Sequence, residues 1–298
     1  MSGPKSLPTG VKRWAEQRLG PAVTVRNASH ERPSSRVWEL ERGDGVRFYV
    51  KVSPSEAAFT RESLAYASAV PRLGHGRAPR LLDSHAGELA LLLTAVPGTP
   101  VKASHMTAGE QLAVHRQAGR LTARLHQAGE VGGEARAVSE AAFAAVADRA
   151  QTHLARAGDR LGPDEQQLVR GYAEGLRGVG RVPVGFIHGD NQPRNWLWSR
   201  GEGAGRLALV DFERSRPAPA VQDLVGLATG PWLDDPDRMQ AFFLGFGRRL
   251  TEDERYALRC LTALDAAGCL AWGPDHDDPF VTARGRRTLD LLMREDHP

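Results

Sequence analysis

Residues 23–28, 37–40 and 47–52 alternate apolar and polar side chains with a period of two, as strands with one covered face do. Gly43-Asp44-Gly45 joins the second to the third as a hairpin turn, so a three-stranded meander is expected. Ahead of it, residues 1–10 read as a loose tail, and residues 11–19 as a short helix turning Trp14, Ala15 and Leu19 inward. Ser53-Pro54-Ser55-Glu56 opens another helix: a capping hydroxyl, a proline at the first helical position and an early carboxylate. The pattern carries that helix to about residue 70, before Pro71, with Phe59, Leu64 and Ala67 sharing one face and Glu62 near the middle. Two further strands are expected near residues 80–82 and 89–94.

Val96-Pro97-Gly98-Thr99-Pro100 then punctuates the chain and is the candidate hinge. Beyond it helical spacing dominates, over residues 107–128, 138–157, 163–178, 220–229, 236–249, 252–271 and 280–294. Short apolar runs at 186–187, 196–198 and 207–210 interrupt the helices, and Gly201-Glu202-Gly203-Ala204-Gly205 reads as the tip of a hairpin between the last two. The expected fold class is α+β: a small sheet-plus-helix lobe over residues 1–97, and a larger, mainly helical lobe with a buried hairpin over residues 98–298.

At 298 residues the chain can bury a large core. Its 39 Lys and Arg nearly balance 36 Asp and Glu, and no basic run is interleaved with aromatics, so nucleic acid is not indicated as a partner. The two cysteines, Cys260 and Cys269, fit no zinc spacing and read as buried, reduced thiols. No stretch near the N-terminus reads as a signal peptide, and no apolar run approaches membrane-spanning length, so no membrane is expected and the cytoplasm is the expected location.

The apolar runs lead into chemistry. Phe186-Ile187 delivers His188-Gly189-Asp190, and Asn195 follows five positions after that aspartate. Leu207-Ala208-Leu209-Val210 delivers Asp211-Phe212-Glu213. Two short strands that each present a carboxylate suit phosphoryl transfer, which needs one Asp to orient a hydroxyl and an Asn and an Asp to hold Mg²⁺ on nucleotide phosphates. Singly, Asp190, Asn195 and Asp211 could be turn caps; in this order, each beside an apolar strand, they read as a site.

These motifs resemble those of the aminoglycoside phosphotransferase and choline kinase family, which has a bilobal protein-kinase-like fold. The resemblance extends through Lys51 in Tyr49-Val50-Lys51-Val52, Glu62 in the next helix, Leu125-His126, and Asp223-Leu224, and spans roughly residues 20–230. It implies that Asp190 acts as the catalytic base or orients the acceptor hydroxyl, and that Asn195 and Asp211 bind Mg²⁺. It implies that Lys51 contacts the nucleotide phosphates and pairs with Glu62, with Glu56 as the rival partner. The backbone from Ala95 and Val96 to Gly98 would receive the purine. His188, His126 and Asp223 would brace the catalytic loop. ATP or GTP would give its γ-phosphoryl group to a hydroxyl of a small molecule.

The chain departs from the kinase pattern twice. Glu213 stands where protein kinases have glycine, and the turn at residues 29–35 has no glycine, leaving Ser29, Ser34 and Ser35 as the hydroxyls that could meet phosphate. No Gly-x-x-x-x-Gly-Lys-Ser/Thr is present, which disfavours a P-loop enzyme. Asp275, Asp277 and Asp278 are either helix caps or an anionic floor for an amine-bearing acceptor, and the Asp234-Asp235 cluster reads as a cap. Trp232 and Trp272, beside these clusters, either stack on a sugar or base or belong to the core. The function expected is a Mg²⁺-dependent O-phosphotransferase, acting on an aminoglycoside or nucleoside antibiotic. A kinase for an amino-alcohol or sugar metabolite, a non-catalytic nucleotide-binding regulator and a metal-dependent hydrolase are the alternatives. Oligomeric state is unreadable from the sequence.

Overall fold

The computed structural model describes residues 6–29, 36–128, 135–201 and 205–296. Its packing groups the chain into two compact units: residues 1–105 with 193–216, and residues 106–192 with 217–298.

The first unit opens with helix α1 (Thr9–Leu19) and strands β1 (Ala22–Asn27), β2 (Val37–Arg42) and β3 (Arg47–Val52). Helix α2 (Glu56–Leu64) follows, then β4 (Leu81–His85), β5 (Ala90–Thr94) and the two-residue β6 (Thr99–Pro100). The meander extends into an antiparallel sheet of order β1-β2-β3-β5-β4. Phe48, Val50 and Val52 alternate along β3 and pack with Trp38, Leu40, Ala90 and Leu92 under Val11, Trp14 and Ala15 of α1. Fully burying each such large side chain contributes about 1.5–3 kcal/mol. The same period of two puts Lys51 on the opposite face of β3.

Helix α2 departs from its expected extent. Its cap is Ser55, whose Oγ accepts from Ala58 N at 3.3 Å, two residues later than the Ser53 start. After Leu64 the chain widens into a π turn (Ala65–Ala69) and then a 3₁₀ turn (Val70–Leu73). The buried face carries Ala58, Glu62, Ala65, Tyr66 and Ala69, while Leu64 is half exposed and Ala67 is exposed. Hydrophobicity misleads here because a carboxylate bonded to Lys51 lies on the inner face, and the π turn shifts every later residue around the axis.

The second unit begins with α3 (Ala108–His126), α4 (Ala135–Ala157), α5 (Pro163–Arg177) and β7 (Val184–Ile187). Thr107 and Glu110 form a reciprocal capping box that starts α3. The chain then returns to the first unit as the hairpin β8 (Trp196–Ser199) and β9 (Arg206–Leu209), with β6 paired on its outer side. That pairing keeps residues 98–105 in the first unit, beyond the expected break after residue 97. It needs Gly98: φ is +129°, and a Cβ there would meet the Trp198 carbonyl carbon at 2.9 Å. The tip residues 202–204 lie outside the described residues.

Strand β10 (Arg216–Pro219) pairs with β7, and α6 (Val225–Ala228), α7 (Pro236–Phe246), α8 (Glu252–Asp275) and α9 (Pro279–Asp296) complete the second unit. Its core is built from α4, α5, α8 and α9 around Leu154, Val169, Leu176, Leu264 and Leu289. Cys260 and Cys269 are buried and unbridged, as expected, and burial pushes each thiol up to about 11. Among the described residues, no helix is long and apolar enough to cross a membrane.

Helices α3 and α7 touch backbone to backbone. A Cβ on Gly119 would run into the Phe242 carbonyl, and one on Gly245 into the Arg116 carbonyl. Gly119→Ala gains helix propensity but forces the helices apart, so it should cost about 1–3 kcal/mol net. Urea unfolding checks this; a variant as stable as the parent would contradict the close approach.

Candidate active site

The candidate residues form two groups, one in each unit. In the first unit, Lys51 on β3 extends its ammonium to three carboxylates: Glu62 Oε1 at 3.1 Å, Glu213 Oε2 at 3.3 Å, and Asp211 Oδ1 in a short contact. The expected partner Glu62 is confirmed over Glu56, which is exposed. Burial pushes the Lys51 ammonium towards neutrality, but Glu62, Asp211 and Glu213 outweigh it and hold its pKa above the ordinary lysine value. Burial also raises Glu62, with Asp211 and Glu213 adding to it and Lys51 opposing, up to about 7. The two directions agree once the charges are counted: three acids share one cation, and the most buried acid takes up the extra proton. Glu62 Oε2 is buried and finds no hydrogen-bond partner.

That proton gives a pH signature. A carboxyl whose folded pKa is raised contributes stability that is fully present below its ordinary value of 4.5 and is lost as pH rises towards about 7. Denaturant midpoints should therefore fall between about pH 4.5 and about pH 7. Glu62→Gln should flatten that part of the profile; an unchanged slope in the variant would assign the effect elsewhere.

The hairpin register brings Asn195 and Asp211 to one end. Trp196 pairs with Leu209, and Val210 N donates to Asn195 O at 3.0 Å, so the two candidate ligands leave β8 and β9 side by side. Asp211 has φ +69°, a left-handed conformation that costs about 1–3 kcal/mol in a non-glycine residue and persists only when its surroundings hold it. Phe212 supplies that hold: it is fully buried, edge-on to Tyr66 at 5.5 Å between ring centroids. Glu213 O also accepts from Arg61 Nε at 3.3 Å. In the sequence Glu213 is legible only as a departure from glycine; its contact with Lys51 is visible only in the structure. Its place two residues after Asp211 was the available signal.

An aspartate carboxylate and an asparagine amide oxygen are hard donors, and they fit Mg²⁺, which takes few protein ligands and completes its shell with water and phosphate oxygens. Among the described residues no three His, Cys, Asp or Glu side chains gather as a metal site. Of the expected phosphate-side hydroxyls, Ser34 and Ser35 lie outside the described residues; Ser29 Oγ bonds Val37 N and O. Ala95 N donates to Arg47 O at 3.3 Å.

In the second unit, β7 leads into the segment His188-Gly189-Asp190. Asp223 is fully buried beneath it and accepts from His188 N and Gly189 N, each at 2.8 Å, while His126 Nε2 lies 3.0 Å from Asp223 Oδ2. Burial would raise the Asp223 pKa, but the bonds and charge of His126, together with His188, bring it below the ordinary aspartate value. His188 is 1 % exposed, and its Nδ1 accepts from Asp190 N at 3.3 Å. Asp190 itself is half-buried and accepts from Gln192 Nε2 at 3.0 Å. Asn191 Nδ2 donates to Thr122 Oγ1 at 3.0 Å, a tie with no local signal along the chain.

Of the expected acceptor residues, Trp272, Asp275, Asp277 and Asp278 lie together at the junction of α8 and α9. Asp275 is paired with Arg156 at 2.9 Å and Arg160 at 3.4 Å. Asp278 caps α9 through Val281 N at 3.0 Å, and Asp277 is exposed with φ +50°. Trp232 is buried edge-on to Phe242 at 5.1 Å, a core residue. Trp272 stacks on His276 at 4.1 Å.

The sequence profile of the phosphotransferase enzyme family, APH, matches residues 30–259. The chain belongs to this family. It is therefore an enzyme of the phosphotransferase class, and the resemblance read from its motifs holds. Solved structures agree on the fold. The apoenzyme of macrolide 2'-phosphotransferase MphH from Brachybacterium faecium is 18% identical, with a TM-score of 0.57 over 94% of this chain and 96% of that one. A thermostable aminoglycoside phosphotransferase APH(4)-Ia, in a ternary complex with ADP and hygromycin B, is 14% identical, with a TM-score of 0.66 over 95% and 98%. A choline/ethanolamine kinase family protein from Mesorhizobium loti is 15% identical, with a TM-score of 0.60 over 93% and 89%. The α+β fold is thus the protein-kinase-like one these phosphotransferases share. No curated protein sequence matches the chain.

Proposed function

We propose that this phosphotransferase moves the γ-phosphoryl group of ATP or GTP to a hydroxyl of a small molecule, with residues 1–97 serving the nucleotide and residues 98–298 serving catalysis and the acceptor. The observation that carries the reading is Lys51 held by Glu62 and Asp211 while Asn195 and Asp211 leave one hairpin end together. Lys51 neutralises charge on the nucleotide phosphates, and Glu62 keeps its ammonium in place. Asn195 and Asp211 hold Mg²⁺, which when bound offsets the charge of the triphosphate. Asp190 accepts a hydrogen bond from the acceptor hydroxyl, aligns it, and takes its proton as transfer proceeds. Asp223 fixes the backbone that carries Asp190. The Ala95 carbonyl and the Val96 backbone receive the purine. The cytoplasm supplies nucleotide and keeps both thiols reduced.

Nucleotide-bound relatives with hygromycin B or kanamycin support an antibiotic acceptor, and the choline/ethanolamine kinase relative supports a metabolite. A transfer screen with both nucleotides against aminoglycosides, macrolides, nucleosides and small metabolic alcohols tests the reading, with Asp190→Ala as the blank. Nucleotide binding with no phosphate transfer to any hydroxyl would favour the regulator instead.

A further inference from the structure

One carboxylate oxygen of Asp190 is held by a side chain whose path depends on a glycine. Gln192 Nε2 donates to Asp190 Oδ1 at 3.0 Å. An ionised carboxylate only accepts hydrogen bonds, so the amide must turn its NH₂ end, not its carbonyl, to Asp190. The Gln192 side chain lies against Gly226 of α6. A Cβ on Gly226 would meet Gln192 Cγ at 2.8 Å, and Cδ and Nε2 at 3.1 Å each. Carbon atoms pack at about 3.5–4.0 Å, so a larger residue at 226 would push the amide aside. Gly226 lies inside a helix and has no positive φ. Alanine is intrinsically favoured at such a position, so conformation does not call for glycine there; room for Gln192 does.

The backbone of the segment is fixed from the same stretch of chain. Asp223, three residues before Gly226, belongs to a 3₁₀ turn (Ala220–Leu224) that runs into α6, and it accepts from His188 N and Gly189 N. Asn191, buried, donates to Thr122 Oγ1 of α3 at 3.0 Å. These bonds place the chain on either side of Asp190, but they do not orient its carboxylate. The last torsion of an aspartate is broad, so an anchored backbone still leaves the direction of its oxygens open. The Gln192 amide supplies that constraint.

We propose that Gln192 is a positioning residue for phosphoryl transfer: with Gly226 making room, its amide holds the Asp190 carboxylate in the orientation that aligns the acceptor hydroxyl. This rests on the phosphotransferase reading above and adds the pair Gln192 and Gly226 to its machinery. Alignment acts steeply on rate, since a misplacement of about 1 Å can cost about 10²-fold.

The test compares the full chain with Gln192→Ala, Gln192→Glu, Gly226→Ala and the double variant Gly226→Ala with Gln192→Ala. Each is assayed with magnesium ATP and GTP for phosphate transfer to kanamycin, erythromycin, adenosine, choline and water, and kinetics are measured on the acceptor that the parent phosphorylates fastest. Gln192→Ala should lower kcat by about 10–10²-fold and leave nucleotide Kd unchanged. Gln192→Glu keeps the stem and its packing on Gly226 but sets an oxygen against Asp190, so it should be at least as slow; a Gln192 that merely fills space would tolerate it. Gly226→Ala should show the same loss of kcat without a lower urea midpoint, because the clash falls on a movable side chain and alanine favours the helix. The double variant should be no slower than Gln192→Ala, which has no amide left to displace. A crystal structure of Gly226→Ala should show the amide beyond hydrogen-bond reach of Asp190. With the parent active, a parent-like kcat in Gln192→Glu or Gly226→Ala, fully additive losses in the double variant, or an intact amide–carboxylate bond in that crystal overturns the proposal alone. No transfer by the parent to any of these acceptors sinks the phosphotransferase reading and the proposal with it, so the two failures are distinguishable.

Discussion

Asp190→Ala should lower kcat for any accepted hydroxyl by about 10²–10⁴-fold, the usual contribution of a positioned general base. Nucleotide Kd should change little, because the nucleotide-side group (Lys51, Glu62 and Asp211) is built without Asp190. The split between kcat and binding decides the role. Within its own segment Asp190 donates its backbone N–H to His188 Nδ1 and accepts from Gln192 Nε2 through its carboxylate. Asp190→Asn, which keeps the shape and can still accept a hydrogen bond, should retain alignment and lose proton uptake. Near-normal turnover in both variants would remove Asp190 from the chemistry.

Asp223→Ala should destabilise the second unit by about 3–5 kcal/mol, the cost of leaving partners of a buried charge uncompensated. Two backbone N–H groups, of His188 and Gly189, lose their acceptor, and His126 loses its carboxylate. Because the pKa of Asp223 is depressed, the stability it contributes is present above the ordinary aspartate value and is lost as pH falls through the depressed one. The variant should therefore lose part of its acid sensitivity along with its stability. Asp223→Asn, with one remaining acceptor oxygen, should fall between. Chemical denaturation across acid pH measures both effects, and an Asp223→Ala chain as stable as the parent would show that the segment under Asp190 is held by other contacts. Turnover should fall in this variant even where it is folded, since the segment carrying Asp190 loses its anchor.

Much of the site was legible because its residues sit at short, fixed distances along the chain. Asp190 and Asn195 are five positions apart, and Asp211 ends a recognisable apolar run. Lys51 with Glu62 could be read from a strand and the helix that follows it. Less legible were the groups whose partners lie far off in sequence. Asp223 serves a segment 34 positions earlier. Thr122 and Asn191 are separated by 69 positions. Glu213 meets Lys51 of β3 from far along the chain. Helix α2 misled for a related reason: an apolar pattern cannot reveal that a carboxylate lies on the inner face when its cation comes from a neighbouring strand.

The sequence alone determined the strands of the first unit, most helices of the second and the order of the phosphotransferase motifs, since these follow from local periodicity, caps and spacing. Tertiary structure alone decided which charges meet. It assigned three carboxylates to one lysine, raised Glu62 to about 7, buried Trp232 against Phe242, and paired Asp275, Asp265 and Asp234 with arginines. A side chain's charge is written in the sequence, but the dielectric and the counter-charge around it depend on elements brought together by folding, and those set its chemistry.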